Sequence, residues 1–275
     1  MGGASIRGVA VAVLLLGAAC RGGDDGGDAR DDARGDDAGR WRPDVTDTWQ
    51  WQLQGTVNTG YDVDVYDVDL VETPQDVLAE LHDDGRRVVC YFSAGTWEAF
   101  RDGDPPPDEA IGEPLTGFPD ERWLDVRHDA VRGLAVGRLD LAEERGCDGV
   151  EPDNVDAHAN DSGFDLSAGD QLAFNRFLAA EAHARGLSIG LKNDLDHVPD
   201  LVDEFDFAVN EQCHEFDDCA AVEPFVAAGK PVFNAEYAAG FRHDPEPLCD
   251  DSRRRGLRTL VLPVDLDDAF RISCD

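Results

Sequence analysis

The chain has 275 residues and a formal net charge of −35, from 59 acidic and 24 basic side chains. A surface this acidic repels nucleic acid and anionic lipid and draws polycations through its long-range field, so nucleic acid is excluded as a partner. The same acidity also suits salt adaptation, and lysine occurs only at Lys192 and Lys230.

Residues 1–20 read as an export signal. Arg7 supplies a positive start, 9–16 is an apolar run too short to span a bilayer, and Gly17-Ala18-Ala19 leads into Cys20. This pattern resembles a bacterial lipoprotein signal, with Cys20 lipidated and the membrane reached only through that lipid. Gly17 stands where leucine is usual, which leaves a plain secretory signal open. Residues 21–44 are mostly Gly, Asp, Arg and Ala, have little to bury, and are expected to form a disordered tether. They hold eight acids and five arginines, and Arg7 adds one cation, so 45–275 carries about −33.

Residues 45–275 suit one large domain. Short runs rich in β-branched residues predict strands at 49–53, 63–68, 87–92, 148–151, 188–192, 205–210, 231–236 and 259–263. Helices are predicted at 74–84, 130–145, 168–185, 198–204, 220–228 and 245–255. A helix–Gly–strand unit recurs five times: HDDG-RRVVCYF, EERG-CDGVEP, HARG-LSIGLKN, VAAG-KPVFNAEY and RRRG-LRTLVLP. That grammar predicts a single (β/α)8 TIM barrel of the α/β class. Only about nine residues separate the first two strands, too few for a crossover helix, so the first βα unit is degenerate. The long loop 95–123 is either a wall of the cleft or decoration. Six cysteines remain after Cys20, an even number that suits disulfides in an exported chain. Cys213 with Cys219 would staple a loop and Cys249 with Cys274 the C-terminus, while Cys90 and Cys147 pair or remain buried thiols. No cysteine–histidine spacing suggests a zinc site, and no metal or cofactor is expected.

Active sites of such barrels gather at the C-terminal strand ends. Here four consecutive ends carry carboxylates, amides and a lysine: DGVEPDNVD (148–156), LKND (191–194), VNEQC (209–213) and FNAEY (233–237). Two chemistries fit these acids. Glycoside hydrolysis needs one carboxylate as nucleophile or base and another as proton donor, whereas a metal-assisted hydrolase would use Glu151, Asp153 and Asp156 as oxygen ligands. His158 and His214 lie in nearby loops and read as surface histidines.

The strings WQWQLQG, YDVDVYDVDL, VVCYFSAGTWE, GCDGVEPDNVD, GLSIGLKND, FDFAVNEQC and GKPVFNAEY resemble glycoside hydrolase family 114, the endo-α-1,4-polygalactosaminidases, over nearly the whole of the predicted domain. The resemblance implies a catalytic pair, an Asp after strand four and a Glu after strand six, which fall on Asp153 and Glu211. It implies a polysaccharide of α-1,4-linked galactosamine as substrate, a cationic amino-sugar polymer that the acidic surface would attract. Action as a monomer is expected. In the mechanism this suggests, Asp153 attacks the anomeric carbon and Glu211 protonates the departing oxygen. Lys192, between them, would pair with the Asp153 carboxylate, whose charge would keep Glu211 protonated near neutrality. Glu151, Asn154, Asp156, Asn193, Asn210 and Glu236 are candidate substrate contacts beside Lys192, with Glu236 a rival nucleophile. Asn154, Asn193, Asn210 and Gln212 would bind hydroxyls or orient the acids. Tyr91, Trp97 and Tyr237 are candidate platforms for sugar rings, with Trp97 facing the cleft; Trp49 and Trp51 serve equally well as core. A non-catalytic barrel that binds polycationic glycan is the remaining alternative.

Overall fold

The computed structural model describes residues 39–99, 101 and 105–275. The expected export signal, Cys20 and the expected tether up to residue 38 lie outside the described residues. The last tether residues do not behave as a tether. Arg40 donates to Asp206 at 3.0 Å, Ser188 donates to the Trp41 carbonyl, and Trp41 packs against the barrel core. The folded unit therefore starts near Gly39 rather than at 45.

In chain order the elements are β1 (Trp49–Gln52), β2 (Val65–Asp69), α1 (Gln75–Asp83), β3 (Arg87–Ser93), β4 (Thr96–Glu98), β5 (Ile111–Leu115), β6 (Phe118–Leu124), α2 (Asp129–Arg145) and β7 (Gly149–Asp153). There follow α3 (Ala168–Ala184), β8 (Ser188–Lys192), α4 (Val198–Leu201), β9 (Phe207–Glu211), α5 (Cys213–Phe216), α6 (Glu223–Ala227), β10 (Val232–Glu236), α7 (Ala239–His243), α8 (Glu246–Arg255), β11 (Arg258–Val261) and β12 (Ile272–Ser273). The fold is an α/β barrel. Its sheet runs β1-β2-β3-β7-β8-β9-β10-β11-β12, parallel except for the last strand. All eight strands expected from sequence are present. The ends are joined by hydrogen bonds: the Trp49 indole donates to the Arg258 carbonyl at 2.9 Å, and the Leu53 and Gln54 amides donate to the Leu266 carbonyl at 3.1 and 3.2 Å. No helix lies between β1 and β2, which is the degenerate unit.

Alternation along each strand sends one set of side chains inward and the other toward the helices. Trp49, Trp51, Val65, Phe207, Val209, Phe233, Ala235 and Leu260 pack as one inner cluster, while Val150, Ile189, Leu191 and Ala208 join the cluster under the helices. Helix α3 starts on a capping box, Ser167 and Asp170 bonding reciprocally, and α2 stops at Gly146, whose φ of 77° a side-chain-bearing residue would resist. Segments 198–204 and 220–228 shorten to α4 and to a 3-10 turn followed by α6, each started by an early proline (Pro199, Pro224). Among the described residues of the loop 95–123, β4, β6 and β5 form a separate antiparallel sheet after β3. Three disulfides join Cys90 to Cys147, Cys213 to Cys219 and Cys249 to Cys274, which settles the first pair.

Candidate active site

On β7 the inward positions are Glu151 and Asp153, on β8 Lys192, and on β9 Glu211. Lys192 Nζ lies 3.1 Å from Glu151 Oε1, 3.2 Å from Asp153 Oδ1 and 3.4 Å from Glu211 Oε2. One buried ammonium thus faces three carboxylates from two neighbouring strands. Its back rests on Trp51, with Nζ 4.8 Å from the ring centroid, and Tyr91 lies 5.8 Å away. Burial alone would strip this lysine of its proton, but the charges of Asp153, Glu151 and Glu211 outweigh that and push its pKa well above the ordinary value.

Each of the two upper acids has a dedicated tyrosine. Tyr91 donates to Asp153 Oδ2 at 3.0 Å and Tyr237 donates to Glu211 Oε1 at 2.5 Å. Burial, then the adjacent carboxylate, pushes both phenols well above their usual range, so they remain donors. Asn193 holds Glu211 twice: its Nδ2 donates to Glu211 Oε2 at 3.2 Å, and its Oδ1 accepts from the Glu211 amide at 3.0 Å. It does so from φ 47°, a left-handed conformation that asparagine tolerates better than most residues. Asn154, also left-handed at φ 59°, donates to Ser93 Oγ at 2.8 Å. Its carbonyl lies where a side chain at residue 95 would project, 1.7 Å from an ideal Cβ, so only glycine fits at Gly95. Side-chain exposure is 19% at Asp153 and 27% at Glu211, so both meet solvent at the mouth.

Several expected contacts stand elsewhere. Glu151 is 0% exposed and lies beneath the mouth rather than on it. Lys192 is likewise buried, set to touch acids rather than ligand. Asn210 and Glu236 have the opposite strand parity to Glu211 and Tyr237 and face the helix layer. Asn210 donates to Asn234 at 2.9 Å, and Glu236 accepts from the His214 amide at 2.9 Å and from Asn234 at 3.1 Å. The pleat removes Glu236 from the mouth and from the role of nucleophile. Trp97 packs with Ala110, Leu124 and Val131 under the small sheet, not toward the cleft, because β4 pairs with β6 and turns it that way. Trp49 and Trp51 are core. Asp156 is half-buried near Asp153; burial first, then the Asp153 charge, raises its carboxyl. Gln212 bonds Glu215, away from the acids.

The protonation expected of Glu211 is corrected. Burial raises its pKa, but Lys192, the Tyr237 hydroxyl and Asn193 together outweigh burial and hold it below the ordinary glutamate value. The charge of Asp153 is answered by the same lysine and does not dominate Glu211. Deeper in the barrel, burial pushes Glu151 up to about 7 against the pull of Lys192. An acid not singled out from sequence joins it there: Asp67 on β2, buried and hydrogen-bonded to Glu151. Its inward parity with Val65 in YDVDVYDVDL was the available signal.

The metal reading of Glu151, Asp153 and Asp156 meets a physical obstacle, since the Lys192 ammonium already stands between the first two. His158, Asp194 and His197 do converge, but Asp194 accepts from His197 Nδ1 at 2.9 Å and from Asn175 at 2.7 Å, a bonded buried network.

Residues 30–275 match the model of the glycoside-hydrolase family GH114. The chain belongs to glycoside hydrolase family 114. It is therefore a glycoside hydrolase. Among solved structures it is similar to Aspergillus fumigatus Ega3 in complex with galactosamine, at 38% identity and a TM-score of 0.80, over 85% of this chain and 97% of that one. It shares its fold with the glycoside hydrolase domain of PelA from Pseudomonas aeruginosa, at 15% identity and a TM-score of 0.66, over 82% and 98%. A comparison with curated proteins returns no match.

Proposed function

We propose that this GH114 enzyme is a retaining hydrolase of α-1,4-linked galactosamine polymers, with Asp153 as nucleophile and Glu211 as acid and base. The observation that carries the reading is the position of Lys192, within 3.4 Å of an oxygen of each acid. Those two oxygens can be no farther apart than twice that distance. That limit on the two facing oxygens accommodates the ~5–5.5 Å carboxyl separation of retaining pairs. In the first step an Asp153 oxygen bonds the anomeric carbon as the glycosidic C–O bond breaks, and the leaving oxygen takes the Glu211 proton. Water then gives a proton to Glu211, attacks the same carbon and releases Asp153. Negative charge passes from Asp153 to Glu211 and back, and one ammonium nearly equidistant from both serves either state without moving.

The galactosamine bound in Ega3 and the net charge of −35 support a cationic amino-sugar polymer as substrate. The three disulfides support an oxidising, extracytoplasmic location, and Arg7, the apolar run 9–16 and Cys20 support export with a lipid on Cys20. The test is incubation with deacetylated and N-acetylated galactosaminan, with product sizing and anomer detection by NMR, beside Asp153→Asn and Glu211→Gln. Oligosaccharide release with net retention, lost in both variants by at least about 10²-fold, is expected. No release from either polymer, or turnover surviving both substitutions, overturns the proposal.

A further inference from the structure

We propose that Asn175, on helix α3, is a positioning residue: its side-chain amide joins the chain just after Asp153 to the chain just after Lys192, and so sets the spacing of the catalytic pair. The inference rests on the roles proposed for Asp153 and Glu211. It starts from a gap in the sheet. Around the site the β3–β7 ladder runs as far as Ser93 with Asp153, β8–β9 as far as Lys192 with Val209, and β9–β10 as far as Ala235 with Glu211. The β7–β8 ladder pairs only Gly149 with Ser188 and Val150 with Ile189. Pro152, which has no N–H to give a ladder, lies just beyond. The seam between the strand of Asp153 and the strand of Lys192 thus reaches the mouth without backbone pairing.

Asn175 bridges that seam. Its Nδ2 donates to the Val155 carbonyl at 3.0 Å and to Asp194 Oδ2 at 2.7 Å, one acceptor two residues past Asp153 and the other two residues past Lys192. Its Oδ1 accepts from Gln171 Nε2 at 2.9 Å, one helical turn earlier, so the NH2 end is the one turned to the two loops. Gln171 and Asn175 are both 0% exposed, on a helix face otherwise made of Phe174, Leu178, Ala179 and Ala182. A buried amide on such a face is costly unless it is bonded, and packing alone would be served by leucine. The far end is rigid. His197 Nδ1 lies 2.9 and 3.0 Å from the two Asp194 oxygens, and Asn193 and Asp194 are consecutive left-handed residues, φ 47° and 45°, a turn that persists only where its surroundings hold it. Asn193 in turn bonds Glu211 twice. Val155, Asn175, Asp194 and Asn193 therefore form a bonded path from the end of β7 to Glu211 that bypasses Lys192. Without it the seam is free to spread, and the two acids move apart.

The test compares Asn175→Leu, Asp194→Asn and Asp194→Gly by kcat and KM on deacetylated galactosaminan, each assayed well below its own melting temperature. Asn175→Leu should lose about 10²-fold in kcat with KM within about threefold of native. Asp194→Asn keeps an acceptor for Asn175 and tolerates the left-handed backbone, so kcat should stay within about threefold; Asp194→Gly keeps the backbone but not the acceptor, and should lose about tenfold. Native kcat in Asn175→Leu with only a lower melting temperature would show a purely structural residue and overturn the inference. So would a KM effect in place of a kcat effect, or equal kcat in Asp194→Asn and Asp194→Gly. If Asn175→Leu prevents folding, the two Asp194 variants still decide. Failure of the underlying reading appears separately, as turnover that survives Asp153→Asn and Glu211→Gln.

Discussion

Removing one hydroxyl, with Tyr237→Phe, probes the acid–base residue with little change of shape. The Tyr237 hydroxyl donates to Glu211 Oε1 at 2.5 Å and is, with Lys192 and Asn193, one of three groups that hold this carboxyl below the ordinary glutamate range against burial. The proposed general acid is then charged in the free enzyme at neutral pH, and kcat/KM should fall as pH rises through the Glu211 pKa, giving an acidic optimum. A hydrogen bond to a charged group contributes about 1.5–3 kcal/mol. Losing it favours the protonated form, so above the basic limb the share of free enzyme bearing the proton rises by roughly ten- to a hundredfold. At low pH, where Glu211 is already protonated, only positioning is lost. The ratio of kcat/KM for Tyr237→Phe over native should therefore climb with pH and level off. The assay is reducing-end release from deacetylated galactosaminan at subsaturating substrate, across buffers of fixed ionic strength. A ratio that is flat or falls with pH would refute the assignment of Glu211 as the acid whose charge state Tyr237 controls.

Lys192→Met leaves Glu151, Asp153 and Glu211 facing one another without a counter-charge, which should cost about 3–5 kcal/mol near neutrality. Lys192 lowers the carboxyls of Glu151 and Glu211, so both rise in this variant, and the deficit grows with pH and shrinks in acid; equal melting temperatures for variant and native at all pH values would sink the claim. Replacing both Cys90 and Cys147 by alanine should lower stability by about 2–5 kcal/mol, since the bridge closes a separation of 57 residues; denaturant titration reads it, and both thiols are buried, so mild reductant should leave the native bond intact. For Asp206, burial raises the carboxyl, but the His183 bond and charge and then Arg40 bring it below the ordinary aspartate value. A depressed folded pKa stabilises above the unfolded pKa and is lost as pH falls through the folded one; Asp206→Asn should flatten the acid limb of the melting curve, and an unchanged limb would remove Asp206 from that role.

The barrel was legible because its strands and helices carry local signals: β-branched runs, capping glycines, and the recurring helix–Gly–strand unit. The 95–123 segment was not, because its strands pair only with each other and β5 and β6 meet through bulged register. Isolated hairpin strands rich in Pro and Gly carry no period to read. Within the site, residue type pointed to the right strand ends, but parity decided which side chains meet. Asp153, Lys192 and Glu211 share the inward set, whereas Glu236 and Asn210, one position out of step with Tyr237 and Glu211, do not. Counting along the strand from the apolar inward residues Phe233 and Ala235 puts Glu236 on the opposite face. Charge state was harder. The prediction that Glu211 stays protonated used two charges and left out the two donors, Tyr237 and Asn193, that only three-dimensional contact supplies.

Identical side-chain chemistry does different work along the barrel axis because water thins with depth. At the bottom, Trp49, Phe207 and Phe233 fill the interior and admit no charge, with Trp49 and Phe233 ring centroids 5.0 Å apart. One step up, Asp67, Glu151 and Lys192 are buried but paired, and burial is the first cause that raises both acids. At the mouth, Asp153 and Glu211 keep contact with solvent and are each held by a tyrosine. A carboxyl near the floor is thus inclined to keep its proton, whereas Glu211 at the mouth is held below the ordinary glutamate value by Lys192, Tyr237 and Asn193. Lys192, anchored from below and aimed upward, links the two regimes. Sliding a mouth acid one pair of residues down its strand would keep its parity, yet place it at the depth of Glu151, where burial opposes its charge. The reaction proposed here therefore depends on depth in the barrel as much as on which acids face inward.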